Sequence, residues 1–238
     1  MQKEDRDLIV FATIVCIVCS LVLSAAASLL RERQDENIEF DRRVNVLQAF
    51  GEAVKDEKGK KIVGMEDVNA MFAKHIEEVI LDPESGDILA GLSSNDLTSQ
   101  DKQNKSKLPL YLWKEGEQVT RYAFPISGKG LWGPIYGYLA FDQDLATVLG
   151  VTFYKHIETP GLGAECSSPW FQNNFKGLKL WADGALREFS VVKGLAEEGS
   201  TTDVDGISGA TITGRGITSF VNEDLRLYNT YFNKVRGS

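Results

Sequence analysis

The sequence predicts an α+β protein with a single N-terminal membrane-spanning helix. Three observations carry that expectation. An uncharged apolar run stretches from Leu8 to Leu30, longer than the ~20 residues needed to cross a bilayer. Beyond it, helix-period and alternating stretches are mixed, with turn residues between the alternating ones. That pattern reads as hairpins with helices set beside them, not as alternating βαβ units. Finally, Ile217, Phe220, Val221, Leu225, Tyr228, Phe232 and Val235 recur at helical spacing, so an amphipathic helix starting near Thr213 closes the chain.

Residues 1–33 form the anchor. Ala25-Ala26-Ala27 imitates a signal cleavage site, but signal h-regions span only ~7–15 residues, so an uncleaved anchor is expected. Lys3 and Arg6 precede the run, while Arg31 and Arg33, then Arg42 and Arg43, follow it. The basic residues therefore do not favour a cytoplasmic N-terminus. Cys16 and Cys19 lie inside the run, where polarizable side chains pack well.

Residues 34–110 read as a membrane-proximal α+β region. Phe40, Val44, Leu47, Phe50 and Val54 mark an amphipathic helix linking anchor to domain, and Asp56-Glu57-Lys58-Gly59-Lys60-Lys61 ends it. Val68, Met71, Phe72 and Ile76 predict a further helix. Val79-Ile80-Leu81 and Ile88-Leu89-Ala90 flank Pro83-Glu84-Ser85-Gly86-Asp87 as a hairpin. Ser93 to Lys107 is polar apart from Leu97 and is expected to be a mobile loop or boundary.

Residues 111–238 form the main domain, with strand patterning already beginning at Leu108. Leu108–Trp113 and Val119–Ile126 bracket Lys114-Glu115-Gly116-Glu117 as a hairpin. Ile135–Phe141 and Val151–Ile157 alternate as half-buried strands. Pro169 predicts a helix start. Leu178–Trp181 and Leu186–Val192 flank Asp183-Gly184, a tight-turn signal.

The 238-residue chain carries a net charge of −8. Basic and acidic residues balance within residues 1–33, so the excess lies in the remainder. An acidic exterior argues against nucleic acid and anionic lipid surfaces as partners. Cys166 is the only cysteine after the anchor, which excludes a structural disulfide there. His75 and His156 are too isolated for a zinc site.

The stretch that draws functional attention is Asp205-Gly206-Ile207-Ser208-Gly209-Ala210-Thr211-Ile212-Thr213. A small, polar loop feeding a helix N-terminus offers free N–H groups and a positive dipole end, which suits a phosphate. Gly206, Gly209 and Ala210 let a bulky group approach the Thr211 hydroxyl. The same residues would also serve as a plain loop capping a helix.

Asp-Gly-Ile-Ser-Gly-Ala-Thr resembles the flavin-attachment motif of proteins carrying FMN in phosphoester linkage to threonine. Glu158-Thr159-Pro160-Gly161-Leu162-Gly163-Ala164-Glu165 lies upstream, as it does in that family, and Gly130-Leu131-Trp132-Gly133-Pro134-Ile135-Tyr136-Gly137 also matches. With the membrane helix, these motifs resemble the C subunit of the Na+-translocating NADH:quinone oxidoreductases. The likeness is dense from Gly130 to Phe220 and thin from Glu32 to Leu110.

The resemblance implies an extracytoplasmic FMN-binding domain on the periplasmic side of a bacterial inner membrane, with a short cytoplasmic N-terminus. It implies FMN esterified to Thr211 by a separate Mg2+-dependent flavin transferase, and partner subunits in a complex coupling NADH oxidation and quinone reduction to Na+ export. Asp205 serves transferase recognition, helps position the metal-bound phosphate, or is a turn residue. Ser208 and Thr213 bond the phosphate or cap the helix. Glu158 to Gly163 form a second wall, with Thr159 at the ring's carbonyl edge, Leu162 on its face, and Gly161 and Gly163 allowing close backbone approach. A strand-ending Pro-Gly turn without ligand is the alternative. Trp132 stacks on the ring or fills a hairpin core. Lys155 and His156 point to opposite faces of a strand, so at most one faces the flavin. Cys166 is expected to be a passive thiol. Two other readings share these features: the G subunit of the related ferredoxin:NAD+ complex, and a non-redox binding module for a phosphorylated ligand.

Overall fold

The structure, a computed structural model, describes residues 3–56 and 60–237. The middle of the expected helix-ending stretch, Glu57-Lys58-Gly59, lies outside the described residues. Helix α1 runs without interruption over Lys3–Ala49. The anchor and the amphipathic helix expected from sequence are one continuous helix, because no proline or glycine falls between Leu30 and Phe40 to break it. It ends before Gly51, which takes φ +94°. The window around the apolar run has the length and hydropathy of a membrane span. The chain divides into two compact units, one ending at Arg42 and the other beginning at Arg43.

Helix α2 (Met65–His75) leads directly into strand β1 (Ile76–Leu81). A short helix α3 (Ser99–Asn104) follows, then β2 (Leu108–Glu115), β3 (Gln118–Lys129), β4 (Pro134–Asp142) and β5 (Val148–Lys155). These form a five-stranded antiparallel sheet in the order β1-β2-β3-β4-β5. The hairpin expected around Pro83–Asp87 shrinks to a single Leu81–Ile88 bridge on the outer edge of β1, whose other edge pairs along its length with β2. The expected 110/111 boundary falls inside β2.

Strand alternation gives the sheet two buried faces. Leu110, Leu112, Tyr122, Phe124, Ile135, Leu139 and Phe153 point into the main core, against the long helix α5 (Thr211–Arg236). Tyr111 and Trp113 point the other way, where Phe72 of α2 and Phe50 beyond α1 meet them edge-on at 6.2 and 5.4 Å. Between β5 and α5 lie a 3-10 turn at Gly163–Ser167, helix α4 (Pro169–Asn173) and four two-residue strands. Of these, β6 (Trp181–Ala182) and β7 (Ala185–Leu186) form the tight hairpin expected at Asp183-Gly184, both of which have positive φ. The last two, β8 (Ser190–Val191) and β9 (Asp203–Val204), pair in parallel.

Helix α5 lies directly on the end of β3. A Cβ at Gly216 would sit 2.3 Å from the Lys129 carbonyl oxygen and 3.2 Å from Gly130 Cα. Backbone cannot swing aside as a side-chain tip can. Gly216→Ala is therefore expected to destabilise by about 1–3 kcal/mol through overpacking, although alanine is ~1 kcal/mol the better helix former. Urea unfolding of the full chain in detergent checks this; unchanged or higher stability would contradict the close packing.

Candidate functional site

Three loops meet at one end of the sheet. The first is the β3–β4 turn, closed by the Gly130 N–H donating to the Gly133 carbonyl at 2.8 Å. Gly128-Lys129-Gly130-Leu131-Trp132-Gly133 has the spacing of a dinucleotide fingerprint. It joins two antiparallel strands, however, not a strand to a helix, so it lacks the context that spacing requires. The second loop leaves β5 and turns at Pro160-Gly161, where the Leu162 and Ala164 N–H groups donate to the Thr159 carbonyl, both at 3.1 Å. The third enters α5.

Glu158 joins them. Its side chain is buried, at 5% exposure. Oε1 accepts from the Trp132 backbone N–H at 2.9 Å, and Oε2 accepts from the Thr213 hydroxyl at 2.6 Å. A Cβ on Gly163 would lie 2.6 Å from Oε2 and 2.7 Å from the Thr213 hydroxyl oxygen, so only glycine fits beside this junction. Thr213, expected at a phosphate or in a cap, turns fully inward and is spent on Glu158. Glu158 in turn has both oxygens occupied from within the protein.

The start of α5 falls at Thr211, two residues earlier than the periodicity indicated. Thr211 itself is exposed and so is Ser208, while Ala210 is buried. No side chain caps this helix, which leaves first-turn N–H groups open. Gly209 takes φ +72°, and a Cβ there would meet the Leu162 side chain at 2.8 Å. The second and third loops are therefore in contact beside Thr211. Asp205 faces away from this point: its carboxylate accepts from the Ala196 N–H at 2.7 Å, and Gly206 N–H donates to the Gly194 carbonyl. It acts on the 194–196 loop as a turn residue does.

The three loops expose apolar side chains. Trp132 is 64% exposed, Ile212 57% and Leu162 42%, with Leu131 and Ile157 also exposed. The Trp132 ring therefore does not fill a hairpin core. Thr159 and Gly161 are exposed as well. His156 is held over its own loop, with Nδ1 3.3 Å from the Glu158 N–H and Nε2 3.3 Å from the Ser167 hydroxyl. Lys155 lies over the Tyr136 ring. Cys166 is fully buried, and its thiol is pushed up to about 12 by burial first and by the Glu158 charge second. Such a thiol stays protonated and inert.

Residues 130–226, which span all three loops, match the FMN-binding domain family. Over 224 residues the chain is 34% identical to the C subunit of the Na(+)-translocating NADH-quinone reductase of Vibrio anguillarum, covering 84% of this chain and 82% of that protein. The chain belongs to the family of C subunits of these reductases. The C subunit of the Yersinia pestis reductase is 33% identical, covering 88% of this chain and 84% of that one. Two solved structures of C subunits share the fold. The Parabacteroides distasonis protein superposes with a TM-score of 0.73 at 30% identity, covering 85% of this chain and 96% of that one. The Shewanella oneidensis protein gives 0.70 at 26% identity, with coverage of 83% and 97%.

Two features of the site in this reductase C subunit go beyond the residues singled out from sequence. Ile212 and Ile157 stand on its rim. Ile212 lies off the buried stripe of α5, and an apolar residue off the stripe is the signal that could have found it. The Thr213–Glu158 bond has no sequence signal, because it joins residues 55 apart.

Proposed function

We propose that this chain is the FMN-carrying electron-transfer subunit of a membrane complex that couples NADH oxidation and quinone reduction to Na+ export, with FMN esterified to Thr211. The observation that carries this reading is the convergence of three loops, through buried Glu158, beside an exposed threonine hydroxyl at an uncapped helix start. The residues fit the group. Open first-turn N–H groups suit its phosphate. Ser208, Gly209 and Ala210 leave room beside the hydroxyl, and Leu162, Ile212 and Trp132 offer apolar surface for its ring.

Attachment would join the Thr211 Oγ to the flavin-bearing phosphorus of FAD, with the diphosphate P–O bond broken, AMP released and the hydroxyl proton passed to a base. An unactivated threonine hydroxyl is a weak nucleophile. Among the described residues no side chain hydrogen-bonds it, which is in keeping with a separate flavin transferase supplying the base and Mg2+. Bound flavin supplies one- and two-electron transfer. The chain's own part is to tether the phosphate, cover the ring and keep it at one place beside the partner subunits. In this reading helix α1 anchors the domain at the membrane, with the domain on the periplasmic face. NADH is oxidised elsewhere in the complex.

The test is mass spectrometry of the peptide spanning Ala210, taken from the full chain co-expressed with the transferase, followed by anaerobic titration of the flavin absorbance. FMN on Thr211 and reversible bleaching are expected. An unmodified peptide, or a flavin that no reductant bleaches, overturns the assignment.

A further inference from the structure

We propose that Glu158 is a positioning residue that makes the tethered flavin harder to reduce: it locks the three loops together and holds an unneutralised negative charge directly behind the site. This rests on the reading that Thr211 carries FMN.

The carboxylate is buried, and both its donors are neutral groups, a backbone N–H and a threonine hydroxyl. Among the described residues no lysine or arginine forms an ion pair with it. Burial without a cation is a costly state for a carboxylate, and hydrogen bonding alone does not call for it. A glutamine would serve the same partners. Its carbonyl oxygen would accept from Trp132, and its amide would donate to the Thr213 oxygen once that hydroxyl rotated. The charge is thus separable from the scaffold.

The field of this carboxylate reaches its neighbours, since it helps hold up the Cys166 thiol. Thr213 is in the same helical turn as Thr211. Leu162, four residues after Glu158, touches Gly209. Any group tethered at Thr211 therefore lies close to this field. Reduction adds an electron to the flavin, and a fixed negative charge in a poorly solvated site opposes it.

The experiment uses the full chain in detergent, loaded by the transferase, and reads the flavin midpoint potential by anaerobic dithionite titration against a reference dye. In the flavin-loaded Glu158→Gln protein the one-electron equilibrium constant is expected to rise about tenfold, or about 59 mV. An unchanged or lower potential in Glu158→Gln overturns the proposal. Thr213→Val removes one hydrogen bond but keeps the charge, so its potential is expected to stay at or below wild type. A rise there matching that of Glu158→Gln would trace the effect to loop geometry and likewise overturn the proposal. Should Glu158→Gln not fold, Thr213→Val is judged against wild type alone: a potential at or below wild type is the expected result, and any rise above it overturns the proposal. Absence of flavin on wild-type Thr211, seen by mass before any titration, is a separate failure and strikes the functional reading itself.

Discussion

Thr211→Ala is expected to abolish covalent flavin completely while leaving the fold at wild-type stability. The reasons are local. Thr211 is exposed at the first position of α5. Its hydroxyl makes no hydrogen bond among the described residues, and alanine is the better helix former. Exposed substitutions of this kind change stability by no more than ~0.5 kcal/mol. Flavin fluorescence in a denaturing gel is the readout: a bright band in wild type and none in the variant. Thr211→Ser keeps a hydroxyl and is expected to retain a weaker band, because losing the β-methyl frees the oxygen to sample more rotamers. Thr213→Val keeps Thr211 itself. It strips a partner from the buried Glu158, so it is expected to cost about 1–3 kcal/mol of stability while leaving the attachment atom in place. A band that survives Thr211→Ala would place the tether on another residue.

The contrast between Thr211 and Thr213 shows how far the sequence could be read. Both are threonines at the start of one helix, and residue type alone does not say which faces out. Helix phase decides it. Thr213 lies four residues before Ile217 and one turn before the buried stripe, so it shares that stripe's face, whereas Thr211 does not. The sheet strands, the Asp183-Gly184 turn and the closing helix were legible because periodicity and turn chemistry are local signals. That the anchor and the amphipathic helix form one continuous helix was not legible, because composition changes there while helix propensity does not. The stretch Ser93–Lys107 was expected to be mobile because it is polar. Yet Thr98 and Asp101 form a capping box around the start of α3, with Thr98 accepting from the Asp101 N–H at 3.1 Å and Asp101 accepting from the Thr98 N–H at 3.1 Å. That spacing was visible in the sequence. What fixes the segment to the domain was not, since the partner lies 119 residues away.

That partner is Asp224, and Lys105→Met is expected to be strongly destabilising although it lies outside the flavin site. Asp224 sits on α5 at 1% exposure. Its Oδ2 accepts from the Ser127 N–H at 2.9 Å, and its Oδ1 accepts from the Lys105 ammonium, which also donates to the Ser127 carbonyl. One lysine, itself in the left-handed conformation at the end of α3 (φ +51°), thereby ties that helix to β3 and α5. Methionine keeps the apolar stem and removes only the charge. Asp224 is then left buried without a cation, a change that costs roughly 3–5 kcal/mol.

The pH dependence has a definite sign. Burial raises the Asp224 carboxyl from 3.8 to about 6, against the opposing pull of Lys105. The folded state therefore binds this proton more tightly than the unfolded state. Its contribution to stability is greatest below about pH 4, declines as pH rises between 3.8 and about 6, and is flat above that. Removing Lys105 takes away the opposing pull, so the decline extends to higher pH. The stability deficit of Lys105→Met should consequently be small near pH 4, where Asp224 is protonated in both proteins, and fully developed by about pH 8. Urea midpoints of the full chain in detergent across that range measure it. Asp224→Asn in the Lys105→Met background replaces the stranded charge with a neutral amide of the same shape, and is expected to recover much of the loss at high pH and little at low pH. A deficit that did not vary with pH would mean that lost packing of the lysine stem, not the uncompensated carboxylate, accounts for the effect.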